Sequence, residues 1–142
     1  MKIFDCFMYF DEEVVLDLRL NTLDRYVDYF VIVESTFTHR GDRRNLKFDH
    51  KKFDKFKDKI IYLTFDKEPH GIEVVNENDN EAEKSRKYIL NAAKRENGQR
   101  DYILNGLQNA RSEDLILLYL IFEKIISNLN KEYFLSLIFL NH

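Results

Sequence analysis

Seven residues, Tyr29–Ser35 (Tyr-Phe-Val-Ile-Val-Glu-Ser), restrict the fold more tightly than any other stretch of the chain. Five apolar side chains run unbroken, and a carboxylate and a hydroxyl follow at once. A run this short, with polar residues around it, is the pattern of a strand buried on both faces, as in a parallel sheet. Ligands of open α/β sheets gather outside the carboxyl ends of such strands. Glu34 and Ser35 therefore stand where a site is expected. The competing reading is that Glu34 merely leaves the core at a strand end.

The flanking segments fit that strand. Residues 2–10 are apolar apart from Lys2 at the start and Asp5, and read as a buried first strand. Asp11, Glu12 and Glu13 suit the first turn of a helix, where carboxylates favour the helix dipole. Val14, Val15 and Leu18, with apolar residues between 20 and 23, supply its apolar face through about Arg25. A connection of that length carries a crossover helix, so strands one and two are expected to be parallel, as a βαβ unit. Ile60, Ile61 and Leu63 mark a third strand over 59–64, and Leu115 to Leu118 a fourth. Between them, 81–110 is helical by composition, with an expected interruption at Asn97 and Gly98. Its apolar faces are Tyr88, Ile89, Ala92 and Ala93, then Tyr102, Ile103 and Leu107. Leu118, Phe122, Ile125, Leu129 and Tyr133 fall at helical spacing and predict a helical apolar tail.

Charge is unevenly spread. Residues 39–59 hold nine Lys and Arg against four Asp and Glu, with Phe48, Phe53 and Phe56 interleaved. Basic and aromatic residues together can grip nucleic acid. A short helix with its Phe residues inward and its lysines in water explains the same pattern, and no nucleic-acid partner is expected. Arg40 to Arg44 could still meet a diphosphate. Residues 66–83 reverse the sign, with seven acidic residues against Lys67. The 76–81 stretch lacks the ligand order of a calcium loop and reads as a solvated turn.

The 142 residues make one domain, and 44% hydrophobic residues with a net charge of −3 describe a globular chain. The single cysteine, Cys6, excludes an internal disulfide. Asp5 interrupts what a signal peptide would keep apolar, and no apolar run approaches the ~20 residues of a membrane helix. A cytoplasmic or membrane-peripheral protein is expected. Glycine-rich phosphate loops, paired histidine ligands and a Gly-x-Ser-x-Gly elbow are all missing.

Several blocks carry a resemblance to glycosyltransferase family 17. They are Ile3-Phe4-Asp5-Cys6-Phe7-Met8-Tyr9-Phe10-Asp11-Glu12, then Asp28-Tyr29-Phe30-Val31-Ile32-Val33-Glu34-Ser35 with Thr38 and Gly41, then Lys59-Ile60-Ile61. Gln99-Arg100-Asp101, Gly106-Leu107 and Asp114-Leu115-Ile116-Leu117-Leu118 complete the order over about residues 2–118. The resemblance implies a GT-A-like (Rossmann-like), mostly parallel α/β sheet with flanking helices. It also implies inverting transfer of N-acetylglucosamine from UDP-N-acetylglucosamine to a mannose of an N-glycan or related acceptor. Eukaryotic members are Golgi membrane proteins.

On that reading, 1–118 is the nucleotide-sugar-binding half, and Asp5, Glu34, Arg100, Asp101 and Asn105 are its candidate donor-binding residues. The base is not identified. The family also implies a divalent cation, manganese or magnesium, held by an Asp-x-Asp directly after the fourth strand. Tyr119-Leu120-Ile121-Phe122 stands there instead, and the chain contains no Asp-x-Asp. Hard cations want oxygen ligands, so no metal ligand is assigned. Two expectations for 119–142 follow: a frameshifted remnant that leaves the chain truncated and inactive, or a short homologue whose tail packs as a helix. The alternative function is a non-catalytic module whose basic 39–59 surface binds an anionic glycan or nucleic acid.

Overall fold

The computed structural model describes residues 1–118; the expected apolar tail, 119–142, lies outside the described residues. Four parallel strands form one sheet in the order β3-β2-β1-β4. They are β1 (Ile3–Tyr9), β2 (Tyr29–Ser35), β3 (Ile60–Phe65) and β4 (Leu115–Leu118). Helix α1 (Glu13–Leu23) links β1 to β2, and α2 (Glu81–Asp101) runs on into a 3₁₀ segment, Tyr102–Leu107, before β4. The protein is therefore α/β, with an all-parallel sheet and flanking helices.

Side chains alternate across a strand, and this sheet buries both sets. One face carries Phe7, Tyr9, Phe30 and Ile32, packed under Leu16 and Leu20 of α1 and under Phe53 and Phe56. The other carries Phe4, Cys6, Val31 and Val33 under Phe37, Phe65 and Ile103. Two-sided burial is why β2 has no polar residue before Glu34. The 3₁₀ segment lies directly on the second face, since a Cβ at Gly106 would come within 2.4 Å of Val31 Cγ1.

The helices depart from expectation in part: Leu20, and the Tyr102, Ile103 and Leu107 face after α2, pack in the core as expected, but other positions do not. On α1 the buried residues are Leu16, Arg19 and Leu20, whereas Val14 and Leu18 are exposed. The face is set by Asp5 beneath it, which draws Arg19 inward. On α2, Tyr88 and Ile89 are exposed and the buried stripe is polar: Asn91, Arg95 and Gln99. The helix does not break at Asn97 and Gly98, where Phe65 and Pro69 pack closely on it. A single helical glycine costs only about 1 kcal/mol, and the missing side chain is what lets Phe65 and Pro69 come this close. The basic stretch forms one short 3₁₀ turn, Asp54–Phe56, rather than a helix, but its Phe53 and Phe56 do face the core. The 76–80 turn is closed by Asp79 accepting from Asn76 N, and Asn80 caps α2 in a reciprocal box with Glu83.

Candidate functional site

In sequence order β1, β2 and β3 step outward in one direction, and β4 then joins the opposite edge of β1. The order therefore reverses at β1. Beside its carboxyl end lies a cleft of about 400 Å³, lined by Met8, Tyr9, Phe10, Glu12, Thr38, His39, Arg40 and Gln99. Met8 and Tyr9 end β1 and Phe10 and Glu12 follow it, the next three come from the segment after β2, and Gln99 comes from α2.

Each wall is built by hydrogen bonds. Glu12 Oε2 accepts from the N–H groups of Phe10 and Asp11, 3.1 and 3.2 Å away, which fixes the turn after β1. Thr38 and Asp42 close the turn after β2, where Thr38 N donates to Asp42 O at 2.8 Å and Gly41 N donates to Thr38 O at 2.9 Å. Gln99 Nε2 donates to Val33 O at 2.9 Å, so α2 is bonded to the end of β2. Tyr9 is a poor proton donor, since burial first and the neighbouring Glu34 second push its phenol up to about 12. Arg40 is exposed and, among the described residues, has no ion pair or hydrogen bond.

The five residues predicted from sequence do not converge. Asp5 is buried in a two-pronged pair with Arg19, whose Nε and Nη2 reach its oxygens at 2.7 and 2.5 Å. Glu34 is fully buried and accepts from Lys47 N, Phe48 N and the Tyr62 hydroxyl at 2.6, 3.1 and 2.8 Å, with Arg44 at 3.1 Å. Burial, then the Glu34 contact, drives the Tyr62 phenol pKa up. Asp5 sits opposite Phe30 and Glu34 opposite Tyr9, about 13 Å apart along the strands at 3.3 Å per residue. Arg100 bonds Glu96 and Asn97 of its own helix, at 2.6 and 3.1 Å. Asp101 is exposed, and Asn105 donates to Tyr102 O at 3.1 Å. None of the five lines the cleft. Of the residues that do line it, Met8 and Tyr9 end β1, Phe10 and Glu12 follow it, Thr38, His39 and Arg40 follow β2, and Gln99 lies in α2. The strand-end rule reaches all but Gln99, and Arg40 falls in the stretch expected to meet a diphosphate.

The 39–59 cations are largely engaged within the chain. Arg44 grips Glu34, Ser35 O and Phe10 O. Lys52 pairs with Glu13, Lys59 with Asp24 at 3.1 Å, and Lys55 reaches Asn21 at 3.1 Å. Arg44 fastens this segment to the ends of β1 and β2, and the three lysines fasten it to α1 and the residue after it.

A divalent cation fits these residues poorly. Among the described residues no three His, Cys, Asp or Glu side chains gather as a metal site. The cleft offers one carboxylate, Glu12, with one of its oxygens already taken by two backbone N–H groups.

The architecture is that of the open parallel α/β proteins, which take ligands where the strand order reverses. A family model described as Glycosyltransferase family 17 matches residues 1–117, and the chain belongs to that family. No curated protein and no solved structure was found to match. Among the described residues no helix is long and apolar enough to cross a membrane.

Proposed function

We propose that the cleft at the carboxyl ends of β1 and β2 binds the nucleoside diphosphate of a sugar donor, UDP-N-acetylglucosamine, for transfer to a mannose of an N-glycan or related glycan. The observation that carries this reading is Arg40, a cation without a partner among the described residues on the rim of a cleft at the strand-order reversal. As a glycosidic bond breaks, negative charge grows on the departing diphosphate. A guanidinium beside it stabilises that charge with paired N–H donors. Glu12, the single carboxylate of the cleft, keeps Oε1 for a sugar or acceptor hydroxyl while Oε2 stays on the backbone. Inversion at the sugar and turnover by this chain belong to the same proposal. The cation expected of the family has no ligand set in these residues, so donor binding is proposed to precede any metal requirement.

Calorimetric titration with UDP and with UDP-N-acetylglucosamine, each with and without manganese, tests the proposal. Saturable binding is expected without added metal, weakened ~10-fold by Arg40→Ala, the size of one charge-assisted contact. Absence of saturable heat on the wild type, or affinity unchanged in the variant, counts against it.

A further inference from the structure

The buried polar stripe of α2 meets the cleft from behind. Asn91, Arg95 and Gln99 are each one turn apart and all buried. Asn91 exchanges two hydrogen bonds with the backbone of Glu73, at 2.7 and 2.8 Å. Gln99 holds the end of β2. Arg95 lies between them. Its Nε faces both oxygens of Glu68 at 3.0 and 3.2 Å, and Nη1 donates to His39 O at 3.1 Å.

The guanidinium is also the floor on which the 38–42 turn rests. Gly41 has φ of 102°, and a Cβ there would lie 2.7 Å from Arg95 Nη2 and 2.8 Å from Cζ. Only glycine meets both conditions, the left-handed backbone and the missing side chain. His39 and Arg40, next to that glycine, are cleft residues. Arg95 itself does not line the cleft. We propose that Arg95 is a positioning residue: by bridging Glu68 to the 38–42 turn it sets Arg40 toward the donor diphosphate. This rests on the donor reading of the cleft given above. Arginine suits the task because a planar fork can serve two acceptors and carry a backbone on its face, which an ammonium group cannot do.

The test has a ligand-free arm and a ligand arm, read on Arg95→Lys and on Gly41→Ala, which disturb the same contact from its two sides. Amide hydrogen exchange is expected to quicken ~10-fold or more at Thr38 and Asp42 in both variants, since local opening is set by local contacts. Amides of β1 and β2 should stay as in wild type. UDP affinity should fall ~10-fold in Arg95→Lys, and adding Arg40→Ala should weaken it little further, because the two residues act as one unit. Unchanged exchange in the turn overturns the assignment. So does exchange that quickens throughout the sheet in step with lost global stability, or a loosened turn with UDP affinity unaltered, or losses from Arg40→Ala and Arg95→Lys that simply add. A wild-type chain that ignores UDP while the Arg95→Lys turn loosens overturns the donor reading, and with it the donor role of Arg95, but not its hold on the turn.

Discussion

Asp5 and Glu34 are carboxylates in the interior of one face of the sheet, and each has an arginine brought to it. Placing a charge there is costly, and the cost is offset only when opposite charge and hydrogen bonds are fully supplied. Arg19 supplies both prongs to Asp5, and its guanidinium also lies over the Phe7 ring, 4.3 Å from the centroid. Glu34 instead collects donors from the 44–48 segment and Tyr62, so it ties the chain after β2 back onto the sheet. Asp5→Asn removes the charge that Arg19 was drawn in to meet. The expected loss is about 3 kcal/mol of folding stability, the usual scale for breaking a buried pair, read from urea denaturation. A loss under about 0.5 kcal/mol, the range of an ordinary surface substitution, would contradict this account of the pair.

The elements differ in how plainly their residues announced them. Strand β2 was legible because burial on both faces leaves no room for polar residues before its end; β1 follows the rule except at Asp5, and the edge strands β3 and β4 are only half-buried but keep short apolar runs. The faces of the two helices were legible only in part. Leu20 was expected on the buried face of α1 and is there, but Val14 and Leu18 are as apolar as Leu16, and the choice between them comes from Asp5, a residue outside the helix. Asn91, Arg95 and Gln99 look like a solvent face in one dimension. They are buried because the loops at Glu73 and His39 and the end of β2 take their hydrogen bonds. The cleft was legible only in part: Arg40 stood in a stretch expected to meet a diphosphate, but the other lining residues are split among the end of β1, two turns without periodicity and α2.

Carboxylates also pin the ends of these elements. Asp114 accepts from Arg111 N at 2.9 Å and Lys2 N at 2.7 Å at the start of β4, and those bonds lower its pKa. Glu73 is lowered chiefly by Arg86, and Asp79 chiefly by Lys87, both beside α2. A carboxylate with a lowered pKa binds fewer protons folded than unfolded, so its contribution is complete above about pH 4 and is lost as pH falls. The melting temperature should therefore drop as pH goes below about 4. That drop should be shallower in Asp114→Asn. A melting temperature that rises over this interval, or an equally steep drop in the variant, would contradict the assignment.

At the scale of the molecule, a parallel sheet with a reversal at β1, a cleft at that reversal and membership of glycosyltransferase family 17 describe one object. The sheet and the family were readable from the apolar runs and from blocks such as Asp28-Tyr29-Phe30-Val31-Ile32-Val33-Glu34-Ser35. The cleft proposed to hold the donor was less so, because it is assembled from residues about thirty and sixty positions apart that only the fold brings together. The central claim is that donor binds in this cleft and nowhere else on the described chain. Hydrogen exchange on the wild-type protein, with and without UDP-N-acetylglucosamine, tests it most directly. The account predicts slowed exchange over residues 8–12 and 38–42, with β3 unchanged. Protection confined to the basic 51–59 stretch, or none at all in the presence of bound donor, would contradict it.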